Sequence, residues 1–277
     1  MPQLASLDDR EFRRLASFIE RELGIRMPES KRVMLESRLQ KRLRLHGLGS
    51  FREYVDYVFS ERGLRTEMIN MIDAVTTNKT DFFREADHFD FLRSRILPGL
   101  AENGAGRTLS FWSAGCSSGE EPYTLAMVLE DFRSRTPRMD YRILATDISS
   151  RVLEAAERAI YDMDKVEPIP YDYKKRFLLR SKNPDRAEVR IRPELRAKVD
   201  FRRVNFMDET YPVPSGFDTV FCRNVIIYFD RPTQERILGH ICAHIRPGGW
   251  LFIGHSETLT GMNLPLRGTA PTIYQRE

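Results

Sequence analysis

The sequence predicts an α/β fold in which an all-helical N-terminal domain precedes a mostly parallel, doubly wound sheet that carries a small inserted β-subdomain. Three observations support this fold. The first 76 residues show only helical periodicity and capping signals. From about residue 107, short apolar strands alternate with helices, as in parallel sheets. About forty residues separate the helix ending near Ile160 from the strand at Val199, more than an ordinary connection.

These observations divide the chain into three parts. We place the helical domain at residues 1–76, a linker that contributes to the ligand site at 77–106, and the α/β domain at 107–277, with the β-subdomain at about 165–198. Within that subdomain we expect strands at 176–180 and 188–192, separated by the turn-rich segment Lys182-Asn183-Pro184-Asp185.

Four helices are expected in the N-terminal domain. Ser6 and Asp9 have the spacing of a capping box at the start of the first helix, and Gly24 stands where a C-terminal glycine ends a helix. The capping box Ser50-Phe51-Arg52-Glu53 opens the third. The second covers about 29–46, with Leu35, Leu39 and Leu43 on one stripe, and the fourth covers about 64–75.

The α/β domain shows five apolar strand patterns, with helical patterns between them. The strands are expected at 108–113, 141–146, 199–204, 219–222 and 250–253, with 273–275 as a final edge strand, and the helices at 121–132, 150–159 and 233–245.

Composition favours a cytoplasmic protein. The chain has 277 residues with 44 basic and 40 acidic side chains, and no apolar run approaches the roughly 18–20 residues that cross a bilayer. The segment Met1–Asp9 lacks the basic and apolar regions of a secretion signal. The three cysteines, Cys116, Cys222 and Cys242, form no C-x-x-C pair, and an odd number suits a reducing compartment.

One segment is strongly basic. Between Arg26 and Arg44 there are seven basic residues and two acidic ones. This helix is suited to an acidic partner, which by charge alone is either a protein surface or RNA. The alternative is an ordinary solvated helical face.

The run from Phe111 to Tyr123 predicts a ligand site. A strand leads into Gly115 and Gly119, and a helix follows at Glu120-Glu121-Pro122. Glycines at a strand-to-helix turn allow close approach of a ligand, which also meets the free N–H groups of the helix N-terminus. A structural turn without a ligand remains the alternative.

Asp147 ends the second strand of this domain. An acid at that position accepts hydrogen bonds from both ribose hydroxyls of a nucleoside. Its alternative role is to cap the following helix. Together, the glycine turn and Asp147 favour a cofactor that contains adenosine, either NAD or S-adenosylmethionine.

Glu120 and Glu121 bear on that choice. Two carboxylates would repel the pyrophosphate of a dinucleotide, whereas they would attract a cationic methionyl sulfonium with its free amino group. Alternatively, one or both only stabilise the N-terminal end of the helix dipole.

The motifs together resemble the chemotaxis receptor (CheR-type) protein-glutamate methyltransferases. The resemblance covers nearly the whole chain and is carried, in order, by Asn78–Arg84, Phe111–Tyr123, Ala145–Ser149, Val204–Phe206, Phe221–Asp230 and Gly248–Glu257. It implies a Rossmann-like S-adenosylmethionine methyltransferase sheet. It also implies methyl transfer to chemoreceptor glutamates, with S-adenosylhomocysteine as the second product, in sensory adaptation.

The resemblance also assigns roles to residues. One acid of the pair Glu120 and Glu121 faces the methionine amino end, with Glu120 preferred, and Arg84 and Tyr228 lie nearest the methyl-transfer centre. No metal ion is expected. Tyr228 has the alternative of an aromatic residue packed at the end of a strand. The cofactor-binding residues that it implies are Asn78, Thr80, Arg84, Gly115, Glu120, Asp147, Asn205, Phe206, Arg223 and Asn224.

Partners follow from the same resemblance. The Glu/Gln-rich helices of chemoreceptors would meet the basic helix, where Lys31, Arg38, Lys41 and Arg42 are the expected docking residues. The enzyme would then work as a monomer recruited to receptor arrays, without nucleic acid and without insertion into the membrane. In many relatives that tether to a receptor peptide, the loop of the β-subdomain contains glycine, whereas residues 180–186 contain none.

The residues also allow two other interpretations of the function. A nucleic-acid methyltransferase would suit the basic helix, but Arg223-Asn224-Val225-Ile226 stands where such enzymes usually have an N-P-P-[YF]-like run. A regulatory module would sense S-adenosylmethionine without transferring its methyl group. His240 and His244 lie four apart on an expected helix without a matching ligand cluster, and Cys116 and Cys222 are expected to be packing residues.

Overall fold

The computed structural model describes residues 5–103, 106–136, 138–183 and 185–277. Residues 1–4 of the expected helical domain, residues 104–105 of the expected linker and Pro184 of the expected hairpin turn lie outside this part. The chain forms two compact units. The first comprises Met1–Thr77, Asn205–Glu209 and Tyr228–Thr233, and the second comprises the rest.

Between residues 5 and 77, the first unit forms five α-helices. They are α1 (Asp9–Leu23), α2 (Arg32–Leu45), α3 (Phe51–Val58), α4 (Glu61–Thr66) and α5 (Met68–Val75). The expected capping box at the start of α1 is wrong, because the side chain of Asp8 accepts hydrogen bonds from the N–H groups of Arg10 and Glu11 and caps the helix. Gly24 ends α1 in the left-handed conformation (φ +67°), as predicted.

The remaining helices agree with the sequence patterns except at one point. Leu35, Leu39 and Leu43 are all buried on one stripe of α2, and Ser50 caps α3 by accepting a hydrogen bond from Glu53 N. The single helix expected over 64–75 is wrong, since α4 and α5 are separated at Glu67. The sequence pattern missed this break because the apolar residues continue across it.

The second unit contains a seven-stranded sheet with the order β6-β2-β1-β7-β8-β10-β9. Its strands are β1 (Thr108–Ala114), β2 (Asp140–Asp147), β6 (Val199–Arg203), β7 (Phe217–Cys222), β8 (Ile245–Ile253), β9 (Leu266–Ala270) and β10 (Ile273–Arg276). The first five are parallel to one another, and β10 is antiparallel to both β8 and β9. The doubly wound α/β class is confirmed, but the edge strand is β9 rather than the predicted last strand.

The remaining helices precede or connect the strands of the second unit. They are α6 (Ala86–Phe91), α7 (Leu97–Asn103), α8 (Glu120–Arg135), α9 (Ser150–Arg158), α10 (Tyr171–Phe177), α11 (Pro193–Arg196) and α12 (Arg231–His244). A π-helical turn, Leu92–Ile96, joins α6 to α7. Strand β7 is buried along its whole length, which explains why it reads as an apolar run without alternation.

The inserted β-subdomain is a separate three-stranded antiparallel sheet with the order β3-β5-β4. Its strands are β3 (Ile160–Asp162), β4 (Leu178–Arg180) and β5 (Glu188–Ile191). The predicted hairpin of β4 and β5 is confirmed, whereas β3 was not predicted. The first predicted strand was too long because Tyr173 and Phe177 belong to one buried face of α10.

The parallel strands bring their carboxyl ends to one edge of the sheet. Residue 115 follows β1, residue 148 follows β2, residue 223 follows β7 and residue 254 follows β8. In open α/β sheets, ligands bind at this edge. No helix among the described residues is both long and apolar enough to span a membrane.

Candidate active site at the carboxyl ends of the strands

The glycine turn after β1 is shaped by two close contacts. Gly115 has φ +89°, and its N–H and that of Cys116 both donate to Thr146 O at 2.8 Å. A Cβ atom on Gly115 would lie 2.3 Å from Cγ2 of Val225. Gly115 is therefore required by the approach of the loop that follows β7, in addition to any approach of a ligand.

Asp147 links this turn to the end of β2. Its Oδ2 accepts a hydrogen bond from Ser117 N at 2.9 Å, and its Oδ1 accepts one from Ser149 N at 3.0 Å. The cap of α9 is Ser149, whose side chain accepts from Val152 N. The alternative of a helix-capping aspartate is therefore wrong, and Asp147 instead holds the glycine turn beside the strand end.

The two glutamates at the start of α8 have different partners. Glu121 accepts a hydrogen bond from Ser113 Oγ (2.7 Å) and forms an ion pair with Arg223 Nη1 (3.2 Å). Glu120 is 2% exposed and accepts a hydrogen bond from Ser118 Oγ at 2.7 Å. Burial raises the pKa of both carboxyl groups. Glu120 is thus a buried acid that forms no ion pair within 4 Å with any described basic side chain.

Arg223 is almost fully buried directly after β7 and connects three segments. Its Nη2 donates to Glu85 Oε2 at 2.9 Å and also to the carbonyl oxygen of Arg84, while its Nη1 reaches Glu121. The guanidinium therefore joins the linker to the start of α8. In this structure its donors are used within the protein.

Glu85 is a site residue that the sequence reasoning did not identify. Its Oε2 accepts from both Nε and Nη2 of Arg223, and its Oε1 accepts from Asn224 Nδ2 (3.3 Å) and His255 N (3.2 Å). Glu85, His88 and His255 lie within 4.8 Å of one another, the arrangement of a possible metal site. The four hydrogen bonds occupy the acceptor positions of the Glu85 carboxylate, so we interpret the cluster as a hydrogen-bond network.

Backbone strain is concentrated in these segments. Among the described residues other than glycine, six have positive φ, and four of these lie in the linker, the glycine turn and the loop after β7: Phe83, Glu85, Ser117 and Asn224. Such conformations cost about 1 kcal/mol or more each, and they gather where function requires a fixed geometry. This distribution supports a functional site at the carboxyl edge.

The linker residues of the predicted site lie against the same turn. Asn78 accepts a hydrogen bond on its carbonyl oxygen from Ser117 Oγ at 3.0 Å, and Thr80 is half-buried. Arg84 stands between two residues of positive φ, with Nη1 donating to Lys79 O at 3.1 Å. The second unit thus brings together the predicted residues of the linker, the glycine turn, the end of β2 and the loop after β7.

Three predicted site residues belong to the first unit instead. Asn205 donates from Nδ2 to Glu22 O at 2.8 Å, and its Oδ1 accepts from Met207 N at 3.0 Å. Phe206 is buried, and the carbonyl oxygen of Tyr228 accepts from Arg26 N at 3.2 Å. A Cβ atom on Gly24 would lie 2.5 Å from Sδ of Met207. The end of α1 therefore packs closely against these segments.

Two of the predicted docking residues on α2 have partners inside the first unit. The guanidinium of Arg38 donates to the carbonyl oxygens of Val75 and Thr76 at the end of α5. Arg42 forms an ion pair with the fully buried Glu67. Lys31 donates to Arg26 O, whereas Lys41 is exposed. The charge of α2 is accordingly only partly available to a partner.

The cysteines and the remaining histidines are consistent with packing. All three cysteines are free and buried, and burial raises the pKa of the Cys116 and Cys222 thiols well above the ordinary value. Such thiols are poor nucleophiles. His244 Nδ1 pairs with the carbonyl oxygen of Pro214 at 2.9 Å.

Comparisons with known proteins identify the family of this chain. Residues 10–76 match the family model described as "CheR methyltransferase, all-alpha domain", and residues 78–273 match "CheR methyltransferase, SAM binding domain". The chain is 38% identical over 271 residues to a chemotaxis protein methyltransferase of Borreliella burgdorferi, covering 96% of this chain and 94% of the relative. It is 39% identical to chemotaxis protein methyltransferase 2 of Pseudomonas aeruginosa (95% and 92%) and 37% identical to the Escherichia coli enzyme (99% and 93%). The chain therefore belongs to the CheR methyltransferases, the S-adenosylmethionine-dependent methyltransferases of chemotaxis.

Proposed function

We propose that the protein methylates glutamate side chains of methyl-accepting chemoreceptors, giving glutamyl methyl esters and S-adenosylhomocysteine. The observation that carries this proposal is Glu120, a buried acid with no ion-pair partner among the described residues, next to the glycine turn of a CheR methyltransferase. A cationic amino group of S-adenosylmethionine supplies the missing partner. Asp147 at the end of β2 suits the ribose, so the residues present fit this cofactor.

The acceptor explains why no general base is needed. A glutamate side chain has an unperturbed pKa of about 4.3, so its carboxylate is already a nucleophile at neutral pH. S-adenosylmethionine supplies the methyl group as an electrophile on a positively charged sulfur. The protein then has to hold the carboxylate oxygen in line and exclude water, and this positioning accounts for catalysis.

Arg84 and Tyr228 are the proposed residues for orienting the incoming carboxylate. We expect Arg84→Ala and Tyr228→Phe to lower the turnover number by about 10- to 100-fold, because misplacement of a reacting group has effects of this size. Cofactor affinity, measured by calorimetry, should change much less for Tyr228→Phe. Wild-type turnover in both variants, with cofactor binding intact, would show that the carboxylate is oriented by other groups.

A single assay tests the proposed reaction. The full-length protein is incubated with S-adenosylmethionine labelled in its methyl group and with receptor-rich membranes. Base treatment should then release labelled methanol from the receptor band, because carboxyl esters are labile to base. Label that is stable to base on nucleic acid would instead identify a nucleic-acid methyltransferase, and cofactor binding without any transfer would identify a sensor.

The exposed face of α2 is the proposed docking surface, recruiting the monomeric enzyme to receptor arrays. Val33, Ser37, Lys41 and Arg44 follow one another at helical spacing and are all exposed, with Leu45 beside them. Neither Lys41 nor Arg44 uses its side chain in an ion pair or hydrogen bond with another described residue. We therefore assign direct contact with acidic receptor helices to these two, while Arg38 and Arg42 mainly hold the helix in place.

Charge reversal tests this surface. The double variant Lys41→Glu/Arg44→Glu should lower the association rate with receptor fragments about tenfold at low salt, and the difference should shrink as salt rises. Surface plasmon resonance at several ionic strengths measures this effect. The matched control is Arg13→Glu/Arg52→Glu, which makes the same charge change at exposed positions of α1 and α3. Equal effects of both pairs would indicate general electrostatics instead of a docking face.

A further inference from the structure

Glu257 is a buried carboxylate that the proposed mechanism does not use. It lies four residues after β8, and its residue is 6% exposed. Strands β7 and β8 are paired up to Cys222 and Ile253, so the loops that follow them start side by side. Glu257 therefore stands at the carboxyl edge of the sheet, in contact with Asn224, the residue that follows Arg223.

The carboxylate of Glu257 receives several backbone hydrogen bonds. Oε2 accepts from Asn224 N at 2.9 Å and from Gly254 N at 2.6 Å, and Oε1 accepts from Ile226 N at 2.9 Å. One side chain thus joins the loop after β7 to the loop after β8, through main-chain N–H groups of both loops.

These contacts require a group that only accepts hydrogen bonds. An ionised carboxylate offers about four acceptor sites on two oxygens, whereas a glutamine amide has one oxygen and two N–H donors. A glutamine at position 257 would therefore direct a donor against one set of N–H groups. Glu257 makes no ion pair with a described basic side chain, so backbone donors are its main compensation for burial, which raises its pKa.

The loop held by Glu257 has a strained conformation. Asn224 has φ +57°, in the left-handed region that residues other than glycine rarely adopt. A Cβ atom on Gly254 would lie 2.4 Å from Asn224 Nδ2, so the two loops are in close contact. Without the carboxylate, three N–H groups would lose their acceptor. The strained conformation would then no longer be stabilised, and the loop would relax.

We infer that Glu257 is a positioning residue for methyl transfer, which holds the loop of Arg223 and Asn224 in its strained, cofactor-binding conformation. This inference rests on the proposed placement of Arg223 and Asn224 in the cofactor pocket. Glu257 acts only through that loop and touches neither substrate. Its replacement should therefore affect cofactor affinity and turnover more than it affects folding.

The test compares Glu257→Gln with a matched buried acid. Asp218 is also buried and accepts a backbone hydrogen bond, from Ser110 N, but it lies at the opposite end of β7. We expect Glu257→Gln to lower kcat/KM for S-adenosylmethionine by about 10- to 100-fold in protein that circular dichroism shows to be folded. Asp218→Asn should lower the melting temperature and leave kcat/KM of the folded enzyme within about twofold of wild type.

Chemical rescue gives a second readout. Glu257→Ala leaves a space lined by backbone N–H groups, so formate should restore part of the lost cofactor affinity, while formamide, of similar size but neutral, should not. Wild-type kcat/KM and cofactor affinity in Glu257→Gln would overturn the inference, even if Glu257→Ala failed to fold. Failure of the proposed function is distinguishable, because it would appear as absent methyl esters with the wild-type enzyme, whereas cofactor affinity is measured without a receptor.

Discussion

Replacing Glu120 with Gln should weaken S-adenosylmethionine binding by about 10- to 150-fold and leave the folded protein at least as stable as the wild type. Loss of a hydrogen bond to a charged group costs about 1.5–3 kcal/mol, which corresponds to that range. Because burial raises the pKa of Glu120, its ionised form is destabilising at neutral pH, and a neutral isostere removes this cost. Isothermal titration calorimetry and thermal denaturation measure the two effects.

The affinity for S-adenosylmethionine should depend on pH through the ionisation of Glu120. The free protein has a raised carboxyl pKa, and a bound ammonium group would lower it. Affinity should therefore be highest above the raised pKa of the free protein and decrease as the pH falls through it, while Glu120→Gln should lack this decrease. Glu121→Gln is the control: it removes a partner of Arg223, so it should lower stability and keep the pH dependence. If Glu121→Gln removed the pH dependence of the affinity and Glu120→Gln kept it, the amino end of the cofactor would be assigned to Glu121.

Replacing Arg42 with Ala should lower the free energy of unfolding by about 3–5 kcal/mol, the cost of breaking a buried ion pair from one side. Glu67 is fully buried at the break between α4 and α5. It also accepts from Tyr54 Oη at 2.9 Å and pairs with His46 Nε2 at 2.8 Å. Urea denaturation, monitored by circular dichroism, measures this decrease in the free energy of unfolding. Lys41→Ala, an exposed residue on the same helix, should change stability by about 0.5 kcal/mol or less.

The same network predicts sensitivity to acid. Burial, the largest influence, raises the pKa of Glu67, but the hydrogen bonds from Arg42, His46 and Tyr54 outweigh it and lower the pKa overall. A carboxyl group with a lowered pKa contributes stability above the unfolded value of about 4.3, and this contribution is lost as the pH falls through the folded value.

The double variant Arg42→Ala/Glu67→Gln should recover part of the stability lost in Arg42→Ala, because no uncompensated charge is left. If Arg42→Ala instead kept full stability and only slowed receptor association, Arg42 would be a docking residue.

The sequence by itself was enough for the fold class, the family and the cofactor. Each strand and helix shows its own spacing of apolar side chains within one short segment. The glycine turn and its two glutamates likewise form a contiguous motif. The family motifs follow one another along the chain from Asn78 to Glu257. Patterns of this kind are local, so they can be read without knowing which segments meet.

Only the tertiary structure decided what the charged residues do. Arg42 reads as an exposed charge on a basic helix, and its partner Glu67 is 25 residues away. Glu120 and Glu121 are neighbours in the chain, but only Glu121 meets Arg223, because α8 turns it toward the loop after β7. Glu257 finds its N–H donors 31 and 33 residues before it. The sequence does not distinguish a solvated charged side chain from a buried one. The difference depends on whether the packing of distant strands and helices brings a partner within hydrogen-bond distance.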